Sequence, residues 1–267
     1  MRKPSVTIFG VGRVGGALQK SLTKAGYSIA SIFNRKTFPS SIDELGDIIF
    51  LTVHDRDIQG LTEKLATTSS KFEDKHFIHC SGVLDASVLN PLQEKGASIA
   101  SFHPLKAVTL DNDSLEGVWF DMEGDSSSLA LLKNMSEDLG ANCFEIEPAA
   151  KPLLHAAAVV SANYLVTLLK LAIDIATAGN IDRDIALKAL LPLTESSLQN
   201  VKETGFNGSL TGPILRGDVD TIQRHIDTLS SHPELLMLYK SLGSETLKLV
   251  DGMSPDRIKE LKEILKS

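Results

Sequence analysis

A chain of 267 residues has room for one large domain or two modest ones. With 42% apolar and 23% charged residues it can bury a core of ordinary size. Its formal net charge of −7 argues against a general nucleic-acid binder, which carries a basic excess. The two cysteines, Cys80 and Cys143, fall in no CxxC spacing, so neither a disulfide framework nor a zinc or other metal site is expected, and a reducing cytoplasm is the default.

The N-terminal MRKPSVTIFG has an apolar run too short for a signal segment. SVTIFG, from Ser5, reads as a strand that ends in glycine, and Val14, Leu18 and Leu22 then recur at helical spacing. YSIASIF from Tyr27, DIIFLTV from Asp47, HFIHCS from His76 and ASIASFH from Ala97 read as further strands, with helical segments such as DIQGLTEKLAT from Asp57 between several of them. Apolar strands alternating with helices imply a mainly parallel sheet covered on both faces. GVWFDMEG from Gly117 and ANCFEIE from Ala141 are two more strands, separated by a helix from Ser127 that Gly140 closes. After about Glu147 the strand signals stop, and helical patterns run over residues 152–178, 182–204, 218–230 and 233–250, with a short amphipathic tail from Ser254. The expected fold class is therefore α/β, a doubly wound sheet over residues 1–147 followed by an all-α domain over residues 148–267. The longest uncharged apolar stretch, residues 156–169, is shorter than the roughly twenty residues a membrane span needs, so no membrane segment is expected.

The first strand runs into GVGRVGG, in which Gly10, Gly12 and Gly15 fit G-x-G-x-x-G. In that pattern the first glycine makes the tight turn, the second admits a pyrophosphate, and the third lets helix and sheet pack closely. Arg13 and Val14 open the helix whose N-terminus would face the phosphates. The second strand ends at FNRK, where Asn34, Arg35 and Lys36 replace the acidic residue that accepts a ribose 2′-hydroxyl. A guanidinium pairs with a 2′-phosphate, which favours NADP over NAD. A solvated loop explains the same charges without a ligand. Thr52 and Val53 end the third strand, Ser81 follows the fourth, and His103 ends the fifth, all where an open sheet binds its ligand. His103 can exchange protons near neutral pH, or can be a structural histidine; Ser81 would orient cofactor or substrate.

These residues resemble the Rossmann-like proteins with a C-terminal DUF2520 domain. The matching stretches are IFGVGRVGGAL, IHCSGVL, ASFHPLKAV, HAAAVVSANYLVTLL, LPLTESSLQNV and LTGPILRGDVDTIQRH. The resemblance extends distantly to pyrroline-5-carboxylate reductase, the 6-phosphogluconate and 3-hydroxyisobutyrate dehydrogenases and the coenzyme-F420-dependent NADP reductases. It implies a Rossmann domain, an NADP-linked reaction, and a helical domain through which a homodimer forms. In the dehydrogenase relatives a lysine and an asparagine stand four apart at the start of the helical domain. Here Lys151 matches the lysine, but the i+4 place is His155, and Asn163 comes two turns later.

Lys151 and His155 share one helix face, and Pro152 puts Lys151 at the helix start, where the helix dipole eases its deprotonation. Lys151, His155 and His103 are the expected proton-handling groups. Asn163 and Arg216 are expected on the substrate; Arg216, in LTGPILRGD, either clamps an anion or pairs with Asp218, which can cap the next helix. The expected function is an NADP-dependent oxidoreductase moving hydride between nicotinamide and a small carbonyl, hydroxy or imine substrate. The alternatives are a non-catalytic NADP(H) sensor and hydride exchange with a deazaflavin.

Overall fold

In the computed structural model, which describes residues 3–109 and 113–266, strands β1 (Val6–Phe9) and β3 (Ile48–Leu51) are buried at every position. Strands buried on both faces need no polar alternation, which is why VTIF and IIFL are uniformly apolar or β-branched. Neighbouring residues go to opposite sides. Ile8 and Phe50 join a cluster with Leu18 and Leu22 of α1 (Arg13–Lys24) and with Leu132 and Met135 of α4 (Ser126–Asp138). Phe9, Ile49 and Leu51 join a second cluster with Ile58 and Leu65 of α2 (Asp55–Ala66). The result is three layers with two cores.

The seven-stranded sheet has the order β2-β1-β3-β4-β5-β6-β7, where β2 is Ile29–Phe33, β4 His76–His79, β5 Ser98–Pro104, β6 Trp119–Gly124 and β7 Asn142–Glu145. All pairs are parallel except β5 with β6. The order reverses between β1 and β3, the crevice where open sheets take ligands. The expected α/β architecture is present. Helices are fewer than the alternation suggests: only a 3₁₀ turn (Ile42–Glu44) separates β2 from β3, and a 3₁₀ turn (Ala86–Leu89) with the four-residue α3 (Asn90–Gln93) separates β4 from β5. Gly140, at φ +64°, ends α4 as expected.

The chain divides into two compact units, residues 1–162 and 163–267. The first keeps α5 (Lys151–Val159) with the sheet. A single π-helical turn (Val160–Tyr164) then leads into α6 (Leu165–Ala178). The second unit continues with α7 (Arg183–Ser209), α8 (Pro213–Arg216), α9 (Val219–Leu229), α10 (Pro233–Leu247) and α11 (Pro255–Ile264). Asp182 caps α7 through the amides of Asp184 and Ile185, and Asp218 caps α9 through Thr221, the role foreseen for it. Gly205 breaks α7 near its end, at φ 71° and ψ −176°. Ile222, Leu247, Leu261 and Leu265 form this unit's core.

One helical run passes a length-and-composition test that the uncharged stretch of residues 156–169 does not, which by itself leaves the expectation of no membrane segment standing. The helical run Pro148–Ala178 is continuous over 31 residues and is long and apolar enough to cross a membrane by length and composition, with few of its residues buried. The shorter estimate stopped at the polar residues that flank residues 156–169, whereas the helix runs through them.

Candidate active site

The turn after β1 assigns each glycine a separate task. Gly10 has φ +97°, which L side chains avoid, and a Cβ there would stand 2.9 Å from the Thr52 carbonyl oxygen. A Cβ on Gly15 would stand 2.0 Å from the Gly10 oxygen and 2.5 Å from Thr52 Oγ1, so helix α1 touches the turn only because the side chain is missing. A Cβ on Gly12 would meet nothing within 4 Å. That position faces open space, as a glycine cleared for a ligand must. Gly12 is the N-cap of α1 and offers no side chain to the first-turn amides, which leaves them for an anion. Thr52 locks the turn by donating its hydroxyl to the carbonyl oxygens of Phe9 (3.0 Å) and Gly10 (2.7 Å).

A cleft of about 1520 Å³ opens over this turn, larger than the usual range for compact ligands. Gly10, Gly12, Arg13, Val14, Asn34, Arg35, Thr52 and Val53 line it, together with Cys80 at the end of β4. Arg35 is 79% exposed, and its contact with Asp57 is 3.9 Å, too long and too exposed to hold the guanidinium in place. Asn34 instead shapes the loop: its Oδ1 accepts from the Lys36 amide (2.8 Å) and its own amide donates to Thr37 Oγ1 (3.0 Å). Lys36 is not among the residues lining the cleft. The shape suits a dinucleotide diphosphate, with Arg35 free to reach a further phosphate.

At the far end of the same strand edge lies a polar cluster that the sequence only half discloses. β5 and β6 pair antiparallel with His103 opposite Asp121. His103 Nδ1 lies 2.7 Å from Asp121 Oδ2, and Lys151 Nζ donates to Asp121 Oδ1 at 2.8 Å. The carboxylate can only accept, so Nδ1 of His103 carries its hydrogen and Nε2 is left for other partners. Lys151 is fully buried and Asp121 2% exposed, while His103 keeps 14%. Burial works to raise the Asp121 pKa, but the hydrogen bonds from His103 and Lys151, with the lysine charge, bring it below the usual carboxylate range. His155, one turn after Lys151, stacks edge-on with His103 at 5.7 Å between ring centroids. Its Nδ1 is buried and finds no partner among the described residues. Both imidazoles rest on Gly82, where a Cβ would come within 2.4 Å of His155 Nδ1 and 2.8 Å of His103 Nε2. Phe102 and Phe120 stack at 4.1 Å beneath the cluster.

Lys151 was expected to meet substrate as a willing proton donor. It is instead sealed inside and donates to Asp121 at 2.8 Å. Ser81 also differs from its expected role. It is 3% exposed, and its hydroxyl oxygen accepts from the amides of Val83 (3.2 Å) and Leu84 (3.1 Å), closing the turn after β4. Asn163 and Arg216 belong to the second unit and are exposed; Arg216 NH2 lies 4.0 Å from Asp218, a long and exposed form of the pairing given as its alternative role. Asp121 itself went unnoticed. It sits near the start of its strand, and only the reversed direction of β6 brings it to the carboxyl end of β5. A lone aspartate in the apolar run VWFDM was the available signal.

Comparison with known proteins bears on the fold and its two segments. A Rossmann-like domain matches residues 1–104, and a domain of unknown function, DUF2520, matches residues 118–246. The chain thus carries a Rossmann-like segment followed by a DUF2520 segment. His103 and Gly82 come from the first segment, and Asp121, Lys151 and His155 from the DUF2520 segment, so the cluster is assembled from both. A sequence comparison with curated proteins finds no match. Among solved structures, the chain is similar to a protein described as an NADP oxidoreductase, BF3122 from Bacteroides fragilis, with 18% identity over 92% of this chain and 99% of that one and a TM-score of 0.74. It is also similar to TM1727 from Thermotoga maritima (23% identity, 98% of each chain, TM-score 0.68) and to Plasmodium falciparum pyrroline carboxylate reductase with NADP bound (16%, 100% of each chain, TM-score 0.60). A reductive aminase from Aspergillus terreus in complex with NADPH4, cyclohexanone and allyl amine shares the fold at 13% identity over 99% of this chain and 100% of that one, with a TM-score of 0.61.

Proposed function

We infer that the protein is an NADP-dependent oxidoreductase acting on a small substrate. The observation that carries this reading is the union, in one unit and on one strand edge, of a glycine turn open to a diphosphate and a buried histidine–aspartate–lysine cluster. A nucleotide sensor needs the first and has no use for the second. Similar folds that hold NADP or NADPH lend support.

A nicotinamide bound there supplies or removes a hydride. The chain does the rest. Gly12 and the first turn of α1 hold the diphosphate, and Arg35 pairs with the 2′-phosphate. Asp121 fixes the tautomer and direction of His103, while Lys151 keeps Asp121 ionised. His103 Nε2 is the group that gives or takes the substrate proton. Lys151 is thus a positioning residue.

Titration calorimetry tests the cofactor half: NADPH binds at least tenfold more tightly than NADH. A protein that binds neither would sink the reading. We further infer a homodimer formed through the helical unit, supported by large apolar side chains left in the open in a single chain, among them Val166, Ile185, Leu193 and Phe206. Sedimentation returning a monomer at micromolar concentration refutes it.

A further inference from the structure

Resting on the reductase reading, we propose that the site selects a neutral carbonyl, or the hydroxyl it becomes, over a protonated imine. His103 is the acid that makes the new O–H bond.

Reduction of an iminium consumes a hydride alone, whereas reduction of a carbonyl consumes a hydride and a proton. The first needs a carboxylate facing the cationic nitrogen; the second needs a proton donor facing an oxygen that gains negative charge. The cluster meets the second requirement. Both oxygens of Asp121 are committed, one to Lys151 and the other to His103. Glu123, the next carboxylate on that face of β6, is buried and accepts from the Ala86 amide at 2.7 Å, and burial pushes its pKa up. What remains against Gly82 is imidazole: Nε2 of His103 and the unpartnered Nδ1 of His155. Two imidazoles beside a buried ammonium leave an incoming cation with no counter-charge, and a desolvated cation without one is costly. A developing alkoxide, by contrast, finds donors already held in place.

The step balances. The carbonyl π bond breaks as carbon takes hydride from the reduced nicotinamide, which is left oxidised. Oxygen takes the proton from His103 Nε2, whose N–H bond breaks, and the neutral ring recovers a proton from solvent. His155 Nδ1, in its protonated tautomer, donates a second hydrogen bond to the same oxygen.

The test compares matched pairs of ketones and cyclic imines in NADPH oxidation by the full-length protein, beside histidine NMR of the NADP⁺-loaded protein titrated with trifluoroethanol or protonated cyclopentylamine. We expect kcat/KM for carbonyls to exceed that for matched imines at least tenfold. His103→Asn should lower it about 100-fold or more with NADPH affinity within twofold. The alcohol, and not the amine, should shift the His103 and His155 signals. A preference for imines, an unaffected His103→Asn variant, or histidine signals moved by the amine or by neither compound overturns the proposal. Absence of NADPH binding, read separately by calorimetry, sinks the cofactor reading instead.

Discussion

Gly10, Gly12 and Gly15 lie within six consecutive positions, whereas His103, Asp121 and Lys151 are drawn from three elements and 49 positions of sequence. Both groups sit on the same strand edge, and they are made differently. The glycine turn is a backbone device: its shape follows from missing side chains and needs only the strand before it and the helix after it. The histidine cluster is a side-chain device, held by a strand pairing and a buried ion pair. A local change should therefore damage the first without unfolding the protein, while the second should carry stability as well as chemistry.

The sharpest way to break that distinction is Asp121→Asn. It leaves the Lys151 ammonium buried without a counter-charge, so stability should fall by about 3–5 kcal/mol in urea unfolding. Adding Lys151→Met should restore most of the loss while proton transfer stays impaired. If the single variant is as stable as the parent, the cluster is not the structural element inferred from it.

Acid should reveal a neighbouring group next. His79 is buried, with Nδ1 accepting from the Ser81 amide (3.2 Å) and Nε2 placed to donate to the Asp85 carbonyl (3.1 Å). Desolvation lowers its pKa to about 4. The unfolded chain, with an ordinary histidine pKa, binds the proton first. Stability should then decline as pH falls from about 6.5 towards 4, by about 3 kcal/mol from this group, and His79→Gln should flatten that part of the profile. An unaltered profile in the variant assigns the decline elsewhere.

On the backbone side, Gly12→Leu should weaken NADPH binding by about 100-fold or more, because a side chain fills the space left for phosphate, yet hardly move the melting temperature, since nothing there clashes. Gly15→Leu should lose binding and stability together. If the two behave alike, the division of labour among the glycines fails. The smallest effect is expected at Arg35→Asp, which should move the NADPH-to-NADH preference by roughly tenfold towards NADH, the loss of one charge-assisted hydrogen bond. Unchanged preference would return Arg35 to the status of a solvated loop charge.

The same contrast explains what could be read from the chain. The glycine turn, the apolar strands and the cap at Asp218 are encoded within a few residues of where they act, so the local sequence reveals them. His103 was visible because it ends a strand beside Pro104. Asp121 was not, because its importance depends on a partner 18 residues away and on a strand running backwards. The burial of Lys151 was hidden for a similar reason. Helix-start chemistry predicts an exposed charge, and only the long-range carboxylate turns it inward. Ser81 looked like a ligand group until its oxygen was seen closing its own turn.

The reversed direction of β6 has a consequence for how such a protein can change. Alternate residues of a strand face opposite ways, so a one-residue slip of β6 against β5 would bring Phe120 or Met122 opposite His103 and carry Asp121 to the other layer. The segment between the two strands is constrained in its own way: Val108, Leu115 and Val118 are buried in the core on one side of the sheet. A single deletion inside WFDMEG should thus cost the protein its activity and, with the Lys151 ammonium left unpaired, stability as well.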